Sequence, residues 1–165
     1  MSILKGEGAH CEFTGVTSAG EAQTLDTGSK VIHAAPHTTS NVNSKSISKS
    51  GGTAIYRGVL KIAKNAEHSK ATVSCESLML DQESCSDTIP AIIIENDNVD
   101  LGHEAKIGRI SDEAIFYLMT RGISEAEARA MLVRGFVEPI SKELPLEYAV
   151  EMNNLITLEL EGAIG

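Results

Sequence analysis

Three cysteines and five histidines are the side chains of this 165-residue chain best suited to soft-metal or nucleophilic chemistry. Cys11, Cys75 and Cys85 are an odd set without CxxC spacing, which argues against a disulfide framework and for reduced thiols in a reducing compartment. His103 and Glu104 are adjacent. Thiolates suit iron–sulfur clusters, while imidazole and carboxylate complete a more labile site. Each residue also has a plainer reading. A single buried cysteine such as Cys75 usually just packs, and a histidine on an apolar strand face is more often a hydrogen-bonded core residue. Glu104 on the opposite face would be solvated, and Cys85 lies in a turn-like segment with partial exposure. A Cys/His/Glu enzyme would need Cys75 activated beside an imidazole, and no motif supports one. P-loop, GxSxG and HExxH patterns are missing, and Gly6-Glu7-Gly8 lacks the rest of a dinucleotide fingerprint. By themselves these residues do not decide a function.

The elements that must position them change character near Ser111. Before it, β-prone runs at about 42–47, 54–62, 71–80, 89–94 and 99–107 alternate with Gly-, Asn-, Asp- and Ser-rich breaks. Many short strands at regular spacing suggest a sandwich, a barrel or a β-helix. The small polar run from Thr38 to Ser48 favours the β-helix, because it offers too little bulk for a sandwich core while small side chains can stack between coils. Alternation along a strand sets Ala71, Val73, Cys75, Ser77 and Met79 on one face. By the same rule Val99, Leu101, His103, Ala105 and Ile107 share a face, with His103 inward and Glu104 outward.

After Ser111, apolar residues recur at helical spacing. Ser111 caps a first helix with Asp112 and Glu113 in its opening turn, Ile115, Leu118 and Met119 form its stripe, and Gly122 stops it. Ser124-Glu125-Ala126-Glu127 reads as a capping box for a second helix ending before Gly135. Pro145 opens a third, with an apolar stripe of Ala149, Met152, Ile156 and Leu160 and an acidic face of Glu147, Glu151, Glu159 and Glu161.

Composition narrows the function classes. Hydrophobic residues at 42% and charged residues at 22% are ordinary for a globular protein. The net charge of −9 opposes binding to a phosphate backbone, so nucleic acid is not an expected partner. No apolar run reaches the roughly 20 residues of a membrane span, and the first residues lack a signal-peptide core. A cytoplasmic chain with no membrane partner is the expectation.

Several short segments, in order along nearly the whole chain, resemble the SufB/SufD family of iron–sulfur cluster assembly scaffolds, on its SufB-like side. They are Asp26-Thr27-Gly28-Ser29-Lys30, Ser50-Gly51-Gly52-Thr53, Val73-Ser74-Cys75-Glu76-Ser77-Leu78, Asp87-Thr88-Ile89-Pro90 and Gly102-His103-Glu104-Ala105. In the tail they are Arg121-Gly122-Ile123-Ser124-Glu125, Val133-Arg134-Gly135-Phe136 and Glu143-Leu144-Pro145-Leu146-Glu147. The resemblance implies a right-handed parallel β-helix over residues 1–110, truncated at its N-terminal end, and a helical ATPase-docking subdomain over 111–165. It implies a scaffold rather than an enzyme, holding a transient iron–sulfur cluster on Cys75 and Glu104 as iron ligands with His103 beside them. The implied partners are a SufC-like ABC-type ATPase, met through Arg121, Gly122, Arg134, Gly135 and Phe136, and a SufD-like or second SufB-like subunit. The alternative is a pure interaction subunit that recruits the ATPase and holds no cluster.

Overall fold

A computed structural model describes residues 1–160, apart from the side chains of residues 159 and 160. Its contacts divide the chain into two units, Met1–Gly108 and a second beginning at Arg109.

The first unit is a parallel β-solenoid of about four coils. Its strands are β1 (Ser2–Leu4), β2 (His10–Ala19), β3 (Thr24–His33), β4 (Thr39–Ser48), β5 (Thr53–Ile62), β6 (Lys70–Met79), β7 (Cys85–Ile94) and β8 (Asp100–Arg109). Odd strands stack into one sheet, β1-β3-β5-β7, and even strands into the other, β2-β4-β6-β8. Partners such as Thr24 and Thr53, or Thr39 and Lys70, show that a coil advances by about 30 residues, ordinary for a solenoid repeat.

The interior is built from the inward-facing alternate residues. Val42, Tyr56, Leu60, Ala71, Val73 and Cys75 form its apolar centre. The small polar run identified above does stack: Ser46 and Ser77 are register partners, and their hydroxyls lie 2.7 Å apart. Outside, Lys45 and Glu76 are also register partners and form a 2.8 Å ion pair. Corners repeat as well. Asn65 Nδ2 donates to the Ala34 carbonyl, and one coil later Asn96 Nδ2 donates to the Lys64 carbonyl. The Asp81 carboxylate accepts from the backbone N–H groups of Ser50, Glu83 and Ser84. Burial opposes its charge, but those hydrogen bonds prevail and hold the Asp81 carboxyl below its ordinary value.

The strands differ from the expected runs at the front. β1, β2 and β3 precede the first expected run, and the front of β3, from Thr24 to Lys30, is mostly polar. Ladder pairing with β5 along all ten residues overrides that composition. Cys85 is the first residue of β7 rather than part of the preceding turn, and it is exposed.

The second unit holds α1 (Asp112–Thr120), α2 (Glu125–Ser141) and α3 (Leu146–Leu160). Ser111 and Ser124 cap α1 and α2, accepting from the N–H groups of Ala114 and Glu127. Gly122 takes a φ of +86°, the left-handed conformation its place as a stop requires. α2 does not end before Gly135 but runs through it and through Pro139. Val133, Val137 and Ile140 are buried on one face of that stretch. Their burial outweighs the ~1 kcal/mol that a glycine costs a helix, although Pro139 removes the N–H that would bond the Gly135 carbonyl. On α3, Ala149, Met152 and Ile156 are half-buried as their spacing predicts. The side chains of Glu159, Leu160 and Glu161 lie outside the described residues. No helix among the described residues is long and apolar enough to cross a membrane.

Candidate functional site

The site grows from β6, whose alternation turns Ala71, Val73, Cys75 and Ser77 into the solenoid and Glu76 out of it. Cys75 is 2% exposed, and burial pushes its thiol above the ordinary cysteine value. A small, almost wholly apolar cavity opens beside it, with Tyr56, Thr88 and His103 among its lining.

Tyr56 is held in place by a neighbour and a gap. Its hydroxyl lies 2.6 Å from Ser29 Oγ, and its ring lies over Gly58, where an added Cβ would come within 3.1 Å of a ring carbon. Phe13 and Gly15 on β2 repeat the arrangement at 3.2 Å. An aromatic residue followed two positions later by glycine is thus a readable signal for a ring lying along the interior. Reasoning from the sequence missed Tyr56, Ser29 and Thr88. Burial raises the Tyr56 hydroxyl's pKa, against the Ser29 hydrogen bond, and the nearby Cys75 adds to the rise.

His103 reaches the same cavity from β8. The Asp100 N–H donates to the Ser69 carbonyl as the Lys70 N–H donates to Thr38 one coil earlier, where Thr39 and Lys70 are partners. Carried forward, that register sets His103 beside Val73 and Ala105 beside Cys75. An added Cβ on Gly102 would touch the Thr72 methyl at 3.9 Å, as the register requires. His103 faces inward but stays exposed, because β8 ends its sheet.

Glu104 points the other way. Its carboxylate lies 2.9 Å from Lys106 Nζ on the outer face. The hydrogen bond with Glu104, and then its charge, raise the Lys106 amine above its ordinary value, with a further contribution from Glu76. Strand alternation therefore brings Cys75 and His103 to one cavity and sets Glu104 on the opposite face. Among the described residues no three His, Cys, Asp or Glu side chains converge on a metal position.

The remaining thiols and imidazoles are elsewhere. Cys11 is half-buried against the core, and all three thiols are free. His33 is fully buried, with Nδ1 2.8 Å from Thr38 Oγ1 and Nε2 2.8 Å from Ser40 Oγ, and burial lowers its pKa. His37 and His68 stack at an exposed corner with centroids 5.1 Å apart.

In the helical unit, the Arg121 guanidinium sits 5.2 Å over the Tyr117 ring. Arg134 donates to Thr157 Oγ1 at 3.0 Å, tying α2 to α3. Arg134 and Gly135 line an open groove between those helices, whereas Phe136 is half-buried and outside its lining. Arg121 and Gly122 end α1, apart from that groove.

These features stand beside three similarities. The family model described as "SUF system FeS cluster assembly, SufBD core domain" matches residues 1–136. An iron–sulfur cluster assembly SufBD family protein of Staphylococcus haemolyticus is 53% identical over 163 residues, covering 99% of this chain and 35% of that protein. The iron–sulfur cluster assembly protein SufB of Bacillus subtilis is also 53% identical over 163 residues, with the same coverage. The chain spans about a third of the length of the curated relatives it matches. A core-domain match over residues 1–136 and 53% identity across 99% of the chain establish that this chain belongs to the SufBD family of SUF-system iron–sulfur cluster assembly proteins.

Proposed function

We propose that this chain forms the cluster-holding end of a SufB-type scaffold, with the nascent iron–sulfur cluster as cargo. Cys75 supplies a soft thiolate and His103 an imidazole from the same cavity, a donor pair suited to iron. Glu104, on the outer face of the same strand, serves as a third ligand across the junction with a second subunit of SufD-like or SufB-like kind.

One observation carries this reading. Cys75 and His103 line one cavity at the end of the solenoid, where β7 and β8 end their sheets and Ile89, Ile92, Ile93, Ile94 and Ile107 are exposed. Unpaired strand edges and exposed aliphatic side chains favour pairing with another chain. Cys75 is sealed in the free chain, so the cavity must open for the thiol to reach a cluster. Three free thiols suit a reducing, cytoplasmic compartment. The test is anaerobic iron–sulfide reconstitution of the assembled complex. Cys75→Ser abolishes the visible absorbance of the cluster and His103→Ala weakens it, whereas an unchanged Cys75→Ser spectrum rejects the assignment.

A second reading is a pure interaction subunit that recruits a SufC-like ABC-type ATPase through the helical unit and holds no cluster. The groove bearing Arg134 and Gly135 favours it as a docking surface, with Arg121, Gly122 and Phe136 as further contact candidates. On that reading Arg134→Glu abolishes ATPase binding in a pull-down, while Cys75→Ser leaves the complex functional.

A further inference from the structure

Thr88 is the polar residue of the cavity for which neither fold nor proposed ligand set gives a reason. Its Oγ1 is buried and bonds to no protein atom. It is the register partner of Tyr56, yet the Tyr56 hydroxyl is turned to Ser29. Ser48 Oγ is likewise buried without a protein partner, but Ser48 is not part of this lining. A buried hydroxyl kept unpaired in a cavity that a thiol also lines costs stability, and such groups in native proteins call for an explanation. A cysteine sulfur bound to iron carries far more negative charge than a thiol and accepts hydrogen bonds well, and such bonds tune the metal.

We propose that Thr88 is a positioning residue for Cys75, its hydroxyl donating a hydrogen bond to the cysteine sulfur when that sulfur holds the nascent cluster. The inference rests on Cys75 being a cluster ligand. It assigns to the Asp87-Thr88-Ile89-Pro90 segment a role that strand packing does not: β7 brings a hydroxyl to the cavity that the β6 thiol also lines. The cost in the free chain and the benefit in the loaded complex then come from one oxygen atom.

The test pairs Thr88→Val, which keeps the shape and deletes the hydroxyl, with Thr88→Ser, which keeps the hydroxyl. In thermal melts of the chain, Thr88→Val raises the midpoint by about 3 °C, because an unpaired buried hydroxyl is gone. In the reconstituted complex the same variant loses its cluster to a chelator about tenfold faster, while Thr88→Ser keeps the parental rate. A purely structural threonine would move both readouts in the same direction. A parental chelation rate in Thr88→Val, or a lowered melting midpoint, overturns the proposal. Cys75→Ser is run alongside: if it keeps the cluster spectrum, the ligand assignment itself has failed, and if it loses the spectrum the Thr88 result is read on its own.

Discussion

His33 and His103 both sit on inward-facing positions of the solenoid, and they have opposite fates. His33, on β3, is closed over by later coils, and both its ring nitrogens are taken by Thr38 and Ser40. His103, on β8, ends its sheet and faces a cavity rather than a packed neighbour. The same contrast holds along the odd sheet, where Ile62 is 0% exposed and its register partner Ile94 is 47% exposed. In a stacked fold, closure by the next coil turns an inward residue into structure. The last coil keeps the chemistry of its side chains available.

That contrast can be broken most sharply by truncating one side chain in a middle coil and one in the last coil. Ile62→Ala destabilises the chain by about 3 kcal/mol, as deletion of a buried aliphatic group does, whereas Ile92→Ala costs less than about 1 kcal/mol. Urea denaturation of the two variants measures both, and equal losses would remove the distinction between middle and last coils.

Next in size is the histidine pair. His33→Leu leaves Thr38 and Ser40 short of a buried partner and costs about 2 kcal/mol. His103→Ala changes the free chain by under about 0.5 kcal/mol, and its effect is seen only in cluster retention.

The smallest effect is a dependence on pH. Burial lowers the His33 pKa below its ordinary value of 6.5, so above 6.5 the imidazole is neutral both folded and unfolded. As pH falls through 6.5 the unfolded chain takes up the proton first, and stability declines until the folded-state pKa is reached. His33→Leu flattens that part of the stability curve, and an unchanged slope would show that His33 does not set it.

Much of this architecture is legible in the residues, but unevenly. The helix boundaries at Ser111, Gly122 and Ser124 are local, set by side-chain caps and a left-handed glycine, and the structure has them where the sequence puts them. Strand alternation is equally local and gives the faces of Cys75 and Glu104. The polar strand β3 is not local, because its pairing depends on β5 about thirty residues on. Gly135 and Pro139 read as helix breakers, and only the packed face of Val133, Val137 and Ile140 overrules them. The cavity group of Tyr56, Thr88 and Ser29 comes from three separate coils. No periodicity within one segment predicts their meeting, although the Tyr56-x-Gly58 spacing shows how the ring is accommodated.

The central claim is that Cys75 on β6, and neither Cys11 on β2 nor Cys85 on β7, holds the cargo. Cluster absorbance after anaerobic reconstitution of the complex, compared across Cys11→Ser, Cys75→Ser and Cys85→Ser, tests it most directly. The account predicts a full spectrum for Cys11→Ser and Cys85→Ser and none for Cys75→Ser. A full spectrum for Cys75→Ser would contradict it and return that sulfur to the packing of the core.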